Sequence, residues 1–246
     1  MSTSAAKEQV LKLLEEEGFL TVKRLSERLY ISQSSIRRYL TDLQNAGLVH
    51  RTHGGVTLAE AVSHLPSLNN RMTQNTVAKR KVAKKAASLL EDGMIVMLDG
   101  SSTASFLLPY LAKKRDLVLY TSNLETALGG IAMGIETHCI GGRSVNHSAA
   151  LAGEAAYKAV CDLCPDLLFF SSQCIDRDGV VTDSNVEENH LRQLMLRNCK
   201  KSVFLCDSQK FATRAAYRLA SLSDFTFAAF DLDDVLFPCG NCSLLP

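Results

Sequence analysis

From residue 79 onward, short apolar runs alternate with segments of helical period, and this alternation constrains the fold more than any other feature. Met94–Leu98, Leu117–Tyr120, Thr137–Ile140, Asp166–Phe170, Ser202–Cys206 and Phe227–Phe230 read as strands. Thr103–Ala112, Leu124–Met133, Ala149–Val160 and Val186–Asn198 read as helices between them. Apolar strands separated by helices predict a mostly parallel sheet covered on both faces, so the predicted class is α/β. The 246 residues, 46% apolar and 22% charged, are enough to bury such a core and exclude a disordered or low-complexity chain.

Residues 4–58 have a different rhythm. Ser4 is placed to cap a helix carrying Val10, Leu11 and Leu14, ended by Gly18. Thr21 can cap a second helix with Val22, Leu25 and Leu29 inward. Ser32 can cap a third with Ile36, Leu40 and Leu43 inward, closed by Gly47. Three short helices with a tight turn before the third make the helix-turn-helix plan. The third helix then turns Ser34, Arg38, Thr41 and Asn45 outward, with Arg37 on its flank and Gln33 in its first turn. Such side chains reach base edges and phosphates in a major groove. Two β-prone runs around Gly54-Gly55 follow, which suit a hairpin wing with Arg51 and His53 near its tip. The same pattern also fits an ordinary three-helix bundle with a solvated face. Residues 1–60 carry 8 basic and 7 acidic side chains, and the whole chain is only +1, so charge alone does not point to a polyanion.

Residues 59–78 read as a linker, and residues 79–246 as an α/β effector-sensing domain. Six basic residues (Arg71, Lys79, Arg80, Lys81, Lys84, Lys85) lie between positions 71 and 85 with no acid among them. They could approach a phosphate. Most are expected to face water, off a stripe formed by Val82, Ala83, Ala86, Ala87 and Leu90.

In a parallel sheet, ligands bind beyond the carboxyl ends of strands. Four such loops are rich in hydroxyls and small residues: Asp99-Gly100-Ser101-Ser102-Thr103, Thr121-Ser122-Asn123, Gly141-Gly142-Arg143-Ser144 and Asp207-Ser208-Gln209-Lys210. Hydroxyls and helix N–H groups donate while Arg143 and Lys210 neutralise, which makes an anion site. No catalytic residue is assigned. The stretch Ser171–Asp178 lacks acids at its first positions, an ordinary turn explains Asp176 and Asp178 equally well, and His138, His147 and His190 are isolated.

The eight cysteines read as free thiols rather than a disulfide framework. Cys161-x-x-Cys164 and Cys239-x-x-Cys242 have the ligand count of a zinc site but lie far apart, so no metal and no cofactor is assigned. Met1–Lys7 is polar and no apolar run spans a bilayer, so no membrane partner and a cytoplasmic location are expected.

Ser32-Gln33-Ser34-Ser35-Ile36-Arg37-Arg38-Tyr39-Leu40, with Leu43, Gly47, Arg51 and His53-Gly54-Gly55, resembles the DeoR family of bacterial transcriptional regulators. Tyr39 stands where that family usually has Asp, on the flank of the helix, and Ser35 where it has Thr. The resemblance continues through the Asp99 loop, Gly153, Gly179, Glu188 and Asp207–Phe211. It implies an effector domain sharing its fold with ribose-5-phosphate isomerase, glucosamine-6-phosphate deaminase and CoA transferases. Gly100 sits one place early and the second loop reads Thr-Ser-Asn rather than Thr-Asn. By this resemblance Lys210 and Ser101–Thr103 would hold a phosphate, with Asp99 and Thr121–Asn123 near the sugar. The expected function is a repressor of sugar-metabolism genes. Its partners would be a double-stranded DNA operator, read by Gln33, Ser34, Ser35, Arg37, Arg38, Thr41, Arg51 and His53, and a phosphorylated sugar effector. A homodimer or homotetramer is expected. The alternative is a sugar-phosphate isomerase or deaminase with an appended helical module.

Overall fold

The computed structural model describes residues 3–17, 19–46, 48–51, 55–58, 68–145, 148–233 and 237–246. The chain divides into two compact units, Met1–His64 and Leu65–Pro246. In the first unit, α1 (Thr3–Glu17), β1 (Phe19–Leu20), α2 (Val22–Leu29), α3 (Gln33–Asn45), β2 (Val49–Arg51) and β3 (Val56–Leu58) follow in order. Apolar positions at helical spacing meet in one small core of Val10, Leu14, Leu20, Leu25, Ile36, Leu40 and Leu43, closed by Val49 and Val56. The wing is an antiparallel pair with Arg51 opposite Val56, and β1 adds a third strand beside β3. Gly55 is required there, because a Cβ at that position would lie 2.5 Å from the Leu20 carbonyl oxygen and 2.6 Å from the Phe19 ring. α1 begins at Thr3, so Ser4 lies inside its first turn rather than at its cap. Gly18, Gly47, His53 and Gly54 lie outside the described residues.

The second unit opens with α4 (Leu68–Thr73), inside the stretch 59–78 that reads as a linker, and α5 (Thr76–Ala86), which begins in it. The chain then alternates β4 (Ile95–Leu98), α6 (Ser102–Ser105), α7 (Leu108–Leu111), β5 (Val118–Thr121), α8 (Leu124–Ala132) and β6 (Glu136–Cys139). A small hairpin, β7 (Arg143–Ser144) and β8 (Leu151–Ala152), leads into α9 (Glu154–Cys161). After it come β9 (Leu167–Phe170), β10 (Cys174–Ile175), β11 (Val180–Asp183), α10 (Val186–Asn198), β12 (Lys201–Cys206), β13 (Tyr217–Ser221), β14 (Phe227–Phe230) and β15 (Ser243–Leu244). Seven strands form one parallel sheet in the order β15-β14-β12-β9-β4-β5-β6.

Both faces of this sheet are covered, as its apolar strands require. Val96, Leu98, Leu119, Phe169, Val203 and Leu205 pack on one side with α5 and α7. Met97, Leu168, Phe170, Phe204 and Phe230 pack on the other with α9 and α10. The chain runs outward from β4 through β5 to β6, then returns to β9 on the other side of β4. The order therefore reverses between β4 and β9, where the crossover connections diverge and leave a crevice at the strand ends.

Three readings change. The segment Ala149–Val160 is not one helix, because Gly153 takes φ 96° between β8 and the start of α9. Thr103–Ala112 is broken into α6 and α7, with Pro109 in the first turn of the second. A three-stranded antiparallel sheet, β10-β11-β13, was not read at all. Its Asp176 is a turn residue: Oδ1 accepts from the amides of Asp178 and Val180, and Oδ2 pairs with Arg214.

Candidate functional site

In the first unit, the caps read from the sequence form. The Thr21 hydroxyl accepts from the Arg24 amide at 3.1 Å and the Ser32 hydroxyl from the Ser35 amide at 3.2 Å. They fix where α2 and α3 begin. Gln33, Ser34, Arg37, Arg38 and Thr41 are exposed on α3, and Ser35 is half-buried. Tyr39 is buried in the core rather than standing on the flank, since an aromatic ring gains more from burial than the carboxylate it replaces. Its ring centroid lies 5.5 Å from the Arg38 guanidinium carbon, within cation–π range. Arg24 and Arg28 are both paired to Glu17, whereas Arg37 and Arg38 have no carboxylate partner among the described residues. The Arg51 side chain and all of His53 lie outside what is described.

In the second unit, a cavity of about 210 Å³ opens beyond the carboxyl ends of β4, β9 and β12. Ser101 and Ser102 reach it from the loop after β4, Ser171, Ser172 and Gln173 from that after β9, and Asp207, Gln209 and Lys210 from that after β12. Arg71, Asn75 and Lys79 enter from α4, the turn after it and α5. Lys210 Nζ donates to Ser171 Oγ at 2.7 Å and Thr103 Oγ1 at 3.2 Å, and lies 3.5 Å from Asp207 Oδ2. Lys79 Nζ donates to Ser102 Oγ at 3.2 Å and to the Arg71 carbonyl. Burial, reinforced by the Lys210 charge, pushes Lys79 down to about 8. Burial likewise lowers Arg71.

The floor of the cavity is a buried charge network around Arg192 of α10. Its Nε donates to Asp99 Oδ2 at 3.2 Å, Nη1 to Asp183 Oδ2 at 3.0 Å and Nη2 to Glu188 Oε2 at 3.1 Å. Burial alone would lower this guanidinium, but Asp183, Glu188 and Asp99 outweigh it and hold it raised. Glu188 is raised by burial. Asp183 accepts four hydrogen bonds in all, from the Ser184, Asn185 and Gln173 amides and from Arg192. Both its oxygens are thus occupied, and the network contributes orientation to the cavity rather than a free base.

Residues 7–62 match the model of the DeoR-like helix-turn-helix domain, and residues 74–231 match that of the DeoR C terminal sensor domain. The chain belongs to the DeoR family. It is a DNA-binding regulator of transcription. It is 30% identical over 203 residues to the HTH-type transcriptional regulator GolR of Listeria innocua, covering 82% of this chain and 80% of that one. It is 28% identical over 231 residues to the lactose phosphotransferase system repressor of Staphylococcus aureus, covering 92% and 91%. Among solved structures, eIF2B delta from Chaetomium thermophilum superposes with a TM-score of 0.51 at 11% identity, over 94% of this chain and 72% of that chain, a likeness of fold alone.

Within this DeoR-family chain, Ser101, Ser102 and Lys210 line the cavity, and Thr103 is tied to Lys210. Asp99 sits beneath it, accepting from the Ser101 hydroxyl at 2.5 Å and from Arg192. Thr121, Ser122 and Asn123 are buried but do not line it; Asn123 Oδ1 instead caps α8 by accepting from the Glu125 and Thr126 amides. Gly142 packs against β8, where a Cβ would meet the Ala152 carbonyl oxygen at 2.6 Å, and Arg143 pairs with Glu187 at 2.5 Å. These five residues lie at the end of β5 or follow β5 and β6, on the far side of β4 from the crevice. No group of three or more His, Cys, Asp or Glu side chains among the described residues could hold a metal ion. No described helix is long and apolar enough to cross a membrane.

Ser171, Ser172, Gln173, Asp183 and Arg192 are not among the site residues expected from the sequence, and Arg71 and Lys79 enter it only as members of a basic run that could approach a phosphate. Lys79 had a signal: it starts the same helical stripe as Val82, Ala83 and Ala86, and the structure buries it with them. Arg192 had one too, since Glu188, Leu191, Arg192 and Met195 share a buried face of α10.

Proposed function

We propose that the cavity holds the phosphate group of a phosphorylated sugar, and that its occupancy controls how the N-terminal unit grips operator DNA. The observation that carries this reading is the convergence of Arg71, Lys79 and Lys210 on a cavity with four serines, Ser101, Ser102, Ser171 and Ser172. Three cations with hydroxyl donors suit a small oxyanion. The neutral lining groups Gln173, Asn75 and Gln209 suit sugar hydroxyls. The name of the staphylococcal relative supports control of a sugar operon. We read the cavity as a sensor rather than a catalyst, because it lies in the segment that matches a sensor domain, Asp183 has both oxygens hydrogen-bonded, and the other lining carboxylate, Asp207, faces the Lys210 ammonium at 3.5 Å. The repressor sense of the response and action as a homo-oligomer on two half-sites belong to the same reading.

Thermal melting against a panel of sugar phosphates and their unphosphorylated parents tests it. A matching ligand at a hundred times its Kd stabilises by about 2.7 kcal/mol, a shift of about 5–10 °C for a unit of this size. Equal shifts from the unphosphorylated parents, or turnover of the stabilising compound, would overturn it.

Two further outcomes are expected. Arg38→Ala weakens specific operator binding by about 1–3 kcal/mol if the guanidinium reads a base, with the fold unchanged because the side chain is exposed. A gel-shift titration at fixed salt measures this, and an unchanged affinity removes Arg38 from the interface. Effector affinity should also fall as pH rises through about 8, where Lys79 loses its proton. A phosphate monoester is already a dianion above its second pKa of about 6, so it does not add to that fall. The sign for the empty protein is opposite. Between about 8 and 10.5 the unfolded chain keeps the Lys79 proton that the folded one has released, so this group makes the protein more stable as pH rises. A calorimetric affinity profile that is flat from pH 7 to 9 would contradict the assignment.

A further inference from the structure

The sheet ends at β6, which pairs with β5 on one side and with no strand on the other among the described residues. One row of its backbone donors and acceptors is therefore open, a state that proteins usually cover or blunt. Next to it lies α8, an amphipathic helix with an apolar stripe in the wrong place for the domain's own core. Thr126, Ala127 and Gly130 face the sheet and are buried. Gly129 lies against α7, where a Cβ would come within 2.9 Å of Leu108. At about 100° per residue, Leu124, Leu128 and Ile131 then lie on the flank opposite Gly129, overhanging the open edge of β6. They are 45%, 66% and 60% exposed.

Resting on the homo-oligomer reading given above, we propose that this edge is the surface through which a second copy of the chain docks, by antiparallel pairing of the two β6 strands and side-by-side packing of the two α8 helices. The two features need different things, a strand for the open edge and an apolar helix flank for the stripe. One copy of this same unit supplies both at the right relative position. A two-fold axis normal to the sheet satisfies the geometry, since it places the two α8 helices on the same face with their stripes meeting. Charge selects a register. With Thr137 opposite Thr137, Glu136 of each copy lies opposite His138 of the other, which pairs an acid with a base across the strands. Both side chains are exposed: Glu136 lies 3.5 Å from His138 within its own strand, and His138 stacks on Tyr120 at 4.7 Å between ring centroids. Thr137 points toward α8, where Gly130 makes room for it, and leaves the opposite face to that pair.

The test is the molar mass of the full chain by light scattering across a concentration series, for the wild type, Leu128→Glu and the milder Leu128→Ser. The wild type is expected at twice the chain mass of 26.9 kDa or a multiple of it. Leu128→Glu should raise the dissociation constant at least a hundredfold, so that the monomer dominates at micromolar concentration. Leu128→Ser should raise it by a smaller factor. Circular dichroism and melting in dilute solution should show both variants folded, because Leu128 is not part of the core. A wild type that stays monomeric overturns the proposal. So does a Leu128→Glu protein of unchanged mass, which would place self-association on another face. If Leu128→Glu fails to fold, Leu128→Ser decides the matter on the same two criteria.

Discussion

Arg192→Met should destabilise the sensor unit by about 3–5 kcal/mol, the largest effect of any single substitution considered for this chain. The reason lies in what is left behind. Asp99, Asp183 and Glu188 converge on one guanidinium with almost no access to water. Removing it leaves three buried carboxylates facing one another, and they must repel, take up protons or admit water. A Met side chain fills much of the same volume, so the loss reports charge rather than a cavity. Melting followed by circular dichroism should show a fall of about 10 °C or more at neutral pH. Part of it should return as pH is lowered, because Glu188 already has its pKa raised by burial and protonation removes the repulsion. A loss below about 1 kcal/mol would show that the network contributes little beyond its own desolvation.

Lys210→Ala should raise the effector Kd about ten- to a hundredfold, while operator binding by the protein without effector stays as in the wild type. A hydrogen bond to a charged group is worth about 1.5–3 kcal/mol, and Lys210 is held on target by Ser171 and Thr103. Calorimetry with the compound found by thermal melting gives the first quantity and a gel shift the second. Since the Lys210 charge also depresses Lys79, the variant should move the pH dependence of ligand binding upward. That second readout separates a lost contact from a general disturbance of the loop. Wild-type affinity in this variant would place the anion elsewhere.

The central strands were legible because each carries a continuous apolar run, and Phe227–Phe230 and Val186–Asn198 match the structure residue for residue. The helix caps at Thr21 and Ser32 were legible because a hydroxyl before a helical stripe has one good use. Strand order was not. Four hydroxyl-rich loops look equivalent along the chain, yet only those after β4 and β12 meet at the crevice, and the loop after β9 joins them. Nothing local in Thr121–Asn123 says that β5 lies on the outer side of β4. The antiparallel sheet escaped because β10 has only two residues and polar side chains, Thr182, Asp183 and Arg218, interrupt the apolar runs of β11 and β13. Arg71 and Lys79 were hidden by company, since three of the other four cations in their run, Arg80, Lys81 and Lys84, do face water, and Lys85 is half-buried against Asp233.

The Lys210 charge depresses the proton affinity of Lys79, and Asp207, 3.5 Å from Lys210, offsets this only in part. Two cations held this way carry an electrostatic load that a small tetrahedral oxyanion can relieve. If the proposed site is right, choice of buffer matters: phosphate or sulfate would occupy part of it, and the effector would look weaker than it is. Assays of this regulator belong in monovalent salts of chloride or acetate, with inorganic phosphate added back as a deliberate competitor.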